Sequence, residues 1–357
     1  MIFLLYSFIF FLVGFLFCNQ ANIKKSNYVF FFFAIVLFWG LSYYEAVDTP
    51  GYIDKYNYDI HAFPGHIDSQ FEIGYTLLAM LFKTLKLDYW VFQFVVFALE
   101  ILLIIKGLRE FYDDNEMMYI LPLLFFIYPS NLAAFRQGIA ISIFIYALHY
   151  IYDDNPKRSL RYFLFIIIAS FFHQSAVFLL LVYFARNGKI IFSHDWVLLS
   201  ILIVGDIVWL NRGSLITQLD FLIPFFRSDI LDMGDKYAYI LEGESTNTYG
   251  IAKVIEMNVT VVLFTFFCKN DKDKELMRFN MLMYVLIGLF LGGLLAHRLT
   301  YYWTILYYVC FIRGIMAIFR HFDYSIGAYI LTAAYMSWFY LFKSGYLELN
   351  YVFLFGY

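Results

Sequence analysis

Residues 160–185 read LRYFLFIIIASFFHQSAVFLLLVYFA, and the architecture turns on whether this run is one membrane pass or two. A bilayer's hydrocarbon is about 30 Å thick and an α-helix rises about 1.5 Å per residue, so a crossing needs roughly 17 to 25 mostly apolar residues. One long pass is the simpler local reading. Two short passes that turn near His173, each about 20 Å long as ideal helices, are what the rest of the chain requires.

That requirement comes from lysine and arginine, which concentrate in short cytoplasmic loops. Six basic groups recur along the chain: Lys24 and Lys25; Lys106 and Arg109; Lys157, Arg158 and Arg161; Arg186 and Lys189; Lys269, Lys272, Lys274 and Arg278; Arg313 and Arg320. They share one side only if 160–185 is a broken pair and if residues 72–87, within FEIGYTLLAMLFKTLKL, form a re-entrant or surface half-helix. The remaining candidate spans are 1–18, 28–44, 90–106, 117–130, 135–152, 195–210, 251–268, 279–296, 300–319 and 325–342. With 160–172 and 174–185 they make about 12 transmembrane helices in a single polytopic domain, 1–357. Short or broken helices in such proteins line polar cavities.

Composition agrees with a bilayer as solvent. Of 357 residues 62% are hydrophobic and 15% charged, with 44 Phe and 32 Tyr and a mean hydropathy of +0.70. A water-soluble domain of this size could not bury so much apolar surface. The net charge of -3 and the lack of a basic motif set nucleic acid aside. Cys18, Cys268 and Cys310 sit in or beside hydrophobic stretches without metal-ligand spacing and read as small apolar side chains. The first stretch lacks a positive n-region and reads as a retained span rather than a signal peptide.

This threading places both termini outside. It collects on the outer face the loop 45–71, Arg136, His173, the long loop 211–250, and His297 with Arg298. Loop 45–71 is acidic, with Glu45, Asp48, Asp54, Asp59 and Asp68 against Lys55. Loop 211–250 is acid-rich too, and its FLIPFF at 221–226 suits a membrane surface. At about 40 residues it is long enough for a lid or substrate channel.

No phosphate loop, GxGxxG, HExxH or GxSxG is present. The DKDKE run at 271–275 reads as a solvated charged loop. What remains is ionisable groups where apolar spans meet the outer face. Arg136 opens AAFRQGIAISIFIYALHY and Arg298 opens another span; charge at such depth is costly unless paired or facing a polar cavity. A guanidinium offers a planar fork of five donors that suits phosphate oxygens, and snorkelling to the headgroups is the alternative reading. His173, followed by Gln174 and Ser175, is either a hydrogen-bonded structural residue or a general base or phosphate ligand. Asp54 and Glu72 are carboxylates near span ends that could accept a hydroxyl proton, or solvated loop acids. Tyr52, Tyr56 and Tyr58 suit either carbohydrate faces or the interfacial belt.

In order, DTPGYIDKYNY, FEIGYTLLAMLFKTL, AAFRQGIAISIFIYALHY, a short basic loop and ASFFHQSAVFLLLVYF resemble the EpsG family of Wzy-type polysaccharide polymerases over residues 40–185, with a weaker echo in HRLTYYWTILYYV at 297–309. The resemblance implies an all-α, GT-C-like glycosyltransferase of the bacterial inner membrane. Such enzymes join undecaprenyl-pyrophosphate-linked oligosaccharide units at the periplasmic face for O-antigen, capsule or exopolysaccharide. It further implies no cofactor or metal, and a flippase and chain-length regulator as possible partners. In that chemistry Arg136 and Arg298 would neutralise pyrophosphate. His173, Asp54 or Glu72 would take the hydroxyl proton, and Gln137 and His297 would orient their neighbours. A flippase for the same unit is the competing class. A membrane acyltransferase is disfavoured because His173 faces away from a cytoplasmic acyl donor.

Overall fold

The computed structural model describes residues 25–44, 49–65, 71–113, 135–152, 156–187, 195–210, 271–289, 294–321 and 351–353, with scattered helical positions at 117–124 and 254–262. The expected spans 1–18 and 325–342 and the loop 211–250 lie outside the described residues. The chain packs as two compact units, residues 1–177 with 323–357, and residues 178–322. No linker announces that boundary; it falls inside the opening run, in the 3-10 turn Gln174–Leu179 that follows His173.

The first unit contains α1 (Lys25–Gly40), β1 (Ser42–Tyr44), α2 (Thr49–Asp54) with a π turn (Lys55–Asp59), α3 (Ile73–Thr84) and α4 (Tyr89–Arg109). It continues with α5 (Phe135–Ala147), which runs on as a 3-10 turn (Leu148–Tyr152), then α6 (Pro156–Phe172) and β2 (Tyr351–Phe353). The two strands pair antiparallel with Tyr43 opposite Val352, a three-residue addition to an otherwise helical architecture. The span expected over 28–44 therefore stops at Gly40, before the strand.

α5 is the centre of this unit. Apart from Arg136, every residue from Phe135 to Ile145 is buried, as befits a helix apolar on all sides. It packs between α4 and α6. Phe92 touches Phe135 (ring centroids 5.7 Å apart), whereas Gly107 lies against the Ile145 carbonyl, where an added Cβ would come within 2.5 Å. α4 and α5 thus run in the same direction, brought into backbone contact by a small residue. The chain between them must return, and its described positions Met117, Ile120, Leu121 and Leu124 are helical and buried at the spacing of one helix face.

α6 runs the other way, with Phe165 against Tyr146 and Tyr150. Its inner stripe holds Tyr162, Ile166 and Ala169; Leu160, Leu164, Ile167, Ile168 and Phe171 form an exposed, wholly apolar stripe. On α1, Gly40 meets Phe94 and its carbonyl accepts from Gln93 Nε2 (3.4 Å). These contacts sort the ends of the unit. Arg109 of α4 and the first turn of α6, with Lys157, Arg158 and Arg161, share one end, and Arg136 and His173 lie at the other.

α3 lies across that second end. Its first residues meet α5 and α6, Tyr75 and Phe82 both pack on Phe92 (5.7 and 5.2 Å), and only residues 85–88 separate Thr84 from the start of α4. The corner is built from a helix stop and a helix start. Lys86 adopts the left-handed conformation (φ 56°), with Lys86 N–H donating to Lys83 O and Leu87 N–H to Phe82 O. Asp88 then caps α4, accepting from Val91 N–H at 2.9 Å.

α4 holds 21 residues, about 31 Å, with mean hydropathy 2.2 in its apolar window. Among the described residues it alone is long and apolar enough to cross a bilayer unaided. α5 falls short as an α-helix but reaches about 30 Å with its 3-10 turn.

The segment expected as an open acidic loop, 45–71, is partly helical. Tyr52 and Tyr56, one turn apart, are buried, and Tyr56 stacks on Phe92 (5.2 Å) while Asp54 and Asp59 stay exposed. The aromatics fold the segment down and leave its acids outside. Tyr56 donates to the Leu87 carbonyl (2.8 Å), and burial, with the Asp88 carboxylate, pushes its phenol up to about 12. Of the three tyrosines read as either a carbohydrate face or part of the interfacial belt, Tyr58 remains exposed.

The second unit contains α7 (Leu180–Asn187), α8 (Asp195–Leu210), α9 (Asp271–Leu289) and α10 (Leu294–His321). α9 packs between α8 and α10. Trp209 stacks on Tyr284 (5.2 Å, 10°) and donates to its carbonyl (2.9 Å). Asp206 accepts from Tyr284 OH and Asn258 Nδ2, both at 2.9 Å. The DKDKE run is not the expected loop but the first turns of α9, where acids suit the helix dipole.

Candidate active site

The mouth of α5 is occupied by one ion pair on an aromatic floor. Arg136 Nη1 donates to Glu72 Oε2, and Arg136 Nε donates to Tyr52 OH at 3.2 Å. The guanidinium lies over Phe71, 4.4 Å from its ring centroid. Tyr52 in turn contacts Phe71, Tyr75 and Phe135 at 5.6, 5.7 and 5.9 Å. Four elements converge here: α2 supplies Tyr52, the residues entering α3 supply Phe71 and Glu72, α3 supplies Tyr75, and α5 supplies Phe135 and Arg136. The side chains of Arg136 and Glu72 are 19% and 12% exposed, so the pair is shielded but open on one edge.

A guanidinium has five N–H donors, and Glu72 and Tyr52 are the polar partners of Arg136 among the described residues. Donors therefore remain for oxygens arriving from the open edge. The face of Phe71 and the two hydrogen bonds hold the group, so its direction is set before a ligand binds.

His173 is buried at the C-terminal end of α6, on the inner stripe of Ile166 and Ala169. Its N–H donates to Ala169 O and its carbonyl accepts from Ala176 N–H, both at 3.0 Å, so it ends one helix and begins the 3-10 turn. Ser175 N–H donates to His173 Nδ1 (3.3 Å), with Ser175 Oγ also 2.7 Å from that nitrogen. A backbone N–H can only donate, so the Ser175 N–H contact assigns Nδ1 the acceptor's role and the ring hydrogen to Nε2. In this arrangement the ring presents a donor. That suits an anionic oxygen better than the removal of a hydroxyl proton.

Gly74 links the two residues. An added Cβ there would lie 2.7 Å from Phe171 O, so the start of α3 is pressed on the end of α6, and Glu72, two residues earlier, holds Arg136. Arg136, Glu72, Tyr52 and His173 thereby gather at one end of the first unit. Asp54 is not brought in: two residues from Tyr52, it points to the opposite side of α2 and is exposed. Gln137, 1% exposed, is turned into the core beside Arg136. His297 and Arg298 lie in the first turns of α10, in the second unit, and their side chains are outside the described set.

Two acids in apolar helices were not singled out from the sequence. Glu100, midway along α4, is 2% exposed and its Oε1 has no hydrogen-bond partner among the described residues. Asp206 of α8 is satisfied by Tyr284 and Asn258. Both were visible as single acids in apolar runs, FALEILL and IVGDIVW. Tyr75, the floor of the site, gave no signal beyond its place in FEIGY. Among the described residues no cluster of three His, Cys, Asp or Glu is arranged to hold a metal ion.

No curated protein and no solved structure matches the chain. The model of the EpsG family, a Wzy-like polymerase family, matches residues 25–353, nearly the whole length. With a fold that is mainly helical and largely apolar over the described residues, this is a membrane protein of the polysaccharide-polymerase type, and the chain belongs to the EpsG family.

Proposed function

We propose that the protein is a glycosyltransferase that polymerises undecaprenyl-pyrophosphate-linked oligosaccharide units at the periplasmic face of the bacterial inner membrane, for a surface polysaccharide such as O-antigen, capsule or exopolysaccharide. The observation that carries this reading is Arg136: a fixed, shielded guanidinium with donors to spare at the mouth of the central helix. The arrangement of charge supports the orientation. Arg109, Lys157, Arg158 and Arg161 share the end opposite Arg136, which by the positive-inside rule is cytoplasmic.

In the reaction a hydroxyl of one unit attacks the anomeric carbon of the chain on the other lipid. The carbon–oxygen bond to pyrophosphate breaks, negative charge grows on the leaving group, and the hydroxyl proton passes to a base. Arg136 stabilises the growing charge without reorganising. His173, at the same end of the first unit, is a candidate ligand for a second oxygen of the anion, and Arg298 and His297, which open α10 of the second unit, are candidate phosphate-binding residues in their own right. Asp54, on the solvent side of α2, takes the proton only if the segment turns it toward the bound hydroxyl. Gln137, buried and next in sequence to Arg136, is a candidate orienting neighbour by proximity alone. A chain-length regulator and a flippase are expected partners.

The test is Arg136→Ala and Arg136→Lys in the native host, with surface polysaccharide resolved on a gel. Loss of the long-chain ladder while single units are still exported is expected; an unchanged ladder removes Arg136 from the mechanism. One observation favours a second reading, transport of the lipid-linked unit: Glu100 places an unpartnered carboxyl oxygen deep in α4, as a translocation path would. Under that reading Glu100→Gln abolishes export even of single units.

A further inference from the structure

We infer that Glu72 is an internal stand-in for the substrate's phosphate: its carboxylate occupies the seat on Arg136 that a pyrophosphate oxygen takes, and must be displaced for substrate to bind. The inference rests on the reading of Arg136 as the pyrophosphate residue. It removes Glu72 from the candidates for general base, because the oxygen that would take the proton is already held by Arg136.

Three features make Glu72 displaceable. It stands at the N-cap position of α3 yet its side chain makes no capping hydrogen bond, so letting go of Arg136 does not uncap the helix. Released, the carboxylate lies next to the first N–H groups of α3, which have no partner within the helix, so it has a second seat to move to. Finally, the pair keeps an exposed edge, and Tyr52 and Phe71 hold the guanidinium in place when the carboxylate leaves.

An internal anion lowers apparent affinity for any ligand that must evict it, by the fraction of molecules in which the seat is free. Pyrophosphate, with more charge and more oxygens to spread over the remaining donors, evicts it more readily than monophosphate. Glu72 thus sets a threshold that favours a lipid diphosphate over a lipid monophosphate.

The experiment is equilibrium dialysis of the detergent-solubilised full chain against labelled inorganic pyrophosphate and, separately, orthophosphate. Glu72→Gln, which keeps the side chain's shape, is expected to bind pyrophosphate about tenfold tighter than the unmodified protein, the scale of one charge-assisted hydrogen bond. The preference for pyrophosphate over orthophosphate should narrow in the same variant, and Arg136→Ala should bind neither. If Glu72→Gln binds equally or more weakly while Arg136→Ala binds nothing, Glu72 is no stand-in, although Arg136 keeps its role. If Arg136→Ala binds pyrophosphate as the unmodified protein does, the parent reading fails. Should Glu72→Gln not purify folded, Glu72→Asp, whose shorter side chain reaches Arg136 less well, must shift affinity the same way by a smaller factor, and no shift counts against the inference.

Discussion

At the residue scale, Arg136 and His173 answer differently to conservative change. Lysine at 136 keeps a charge but has no fork to bridge Glu72 and Tyr52 and no plane to stack on Phe71. Arg136→Lys should therefore shorten the polysaccharide ladder nearly as much as Arg136→Ala. Near-normal chain length in the lysine variant would show that charge alone suffices. His173 has two duties that a pair of substitutions separates. Asparagine is a good helix cap and its side-chain oxygen can replace Nδ1 as acceptor for Ser175 N–H, but it offers nothing at the position of Nε2. His173→Asn should keep the melting temperature close to that of the unmodified protein and lose polymer, whereas His173→Ala should lose about 1 kcal/mol of stability as well. Full polymer from His173→Asn reduces the histidine to a cap.

At the scale of elements, the corner between α3 and α4 positions the site, because it turns α3 across the end of the bundle and delivers Glu72 to Arg136. Lys86 sits in the left-handed region where glycine is unstrained, so Lys86→Gly should stabilise the protein by up to about 1 kcal/mol. Asp88→Ala should cost about 1 kcal/mol through the lost cap of α4. Gly74→Ala drives a methyl into the Phe171 carbonyl and should cost about 1–3 kcal/mol and reduce polymer; thermal melts of the three variants check the order. Part of this was legible in the sequence. Lys83 and Lys86 already set 72–87 apart from the crossing spans, and the α-helix stops at Phe172, next to the turn expected at His173. The fold of 49–59 was not legible, because its acids dominate composition while two buried tyrosines decide structure. Nor was the Arg136–Glu72 pair: 64 residues separate them, and no local pattern encodes a contact made by a helix laid across three others. Glu100 was legible as a lone acid in an apolar run, and its environment was not. Since glutamine keeps its shape without a charge to bury, Glu100→Gln should fold as well as the unmodified protein, and under the polymerase reading it should keep the ladder.

At the scale of the whole molecule, the directions of α4, α5 and α6 are fixed by Phe92–Phe135, Gly107–Ile145 and Phe165–Tyr146. They set Arg136, His173 and Tyr58 at the end of the first unit away from Lys106 and Arg109, as the spacing of the basic groups along the chain also requires. Because α4 is long enough to cross the hydrocarbon by itself, those two ends should face different compartments. Single cysteines at Tyr58 and Lys106, both exposed, should therefore react differently in a background with Cys18, Cys268 and Cys310 changed to serine. A membrane-impermeant thiol reagent that enters the periplasm should label Tyr58→Cys in intact cells, and Lys106→Cys only once the inner membrane is opened. Labelling of Lys106→Cys in intact cells with Tyr58→Cys protected would invert the molecule. Arg136 would then open to the cytoplasm, where the unit is assembled rather than joined, and the polymerase geometry proposed for Arg136, Glu72 and His173 would have no substrate to meet.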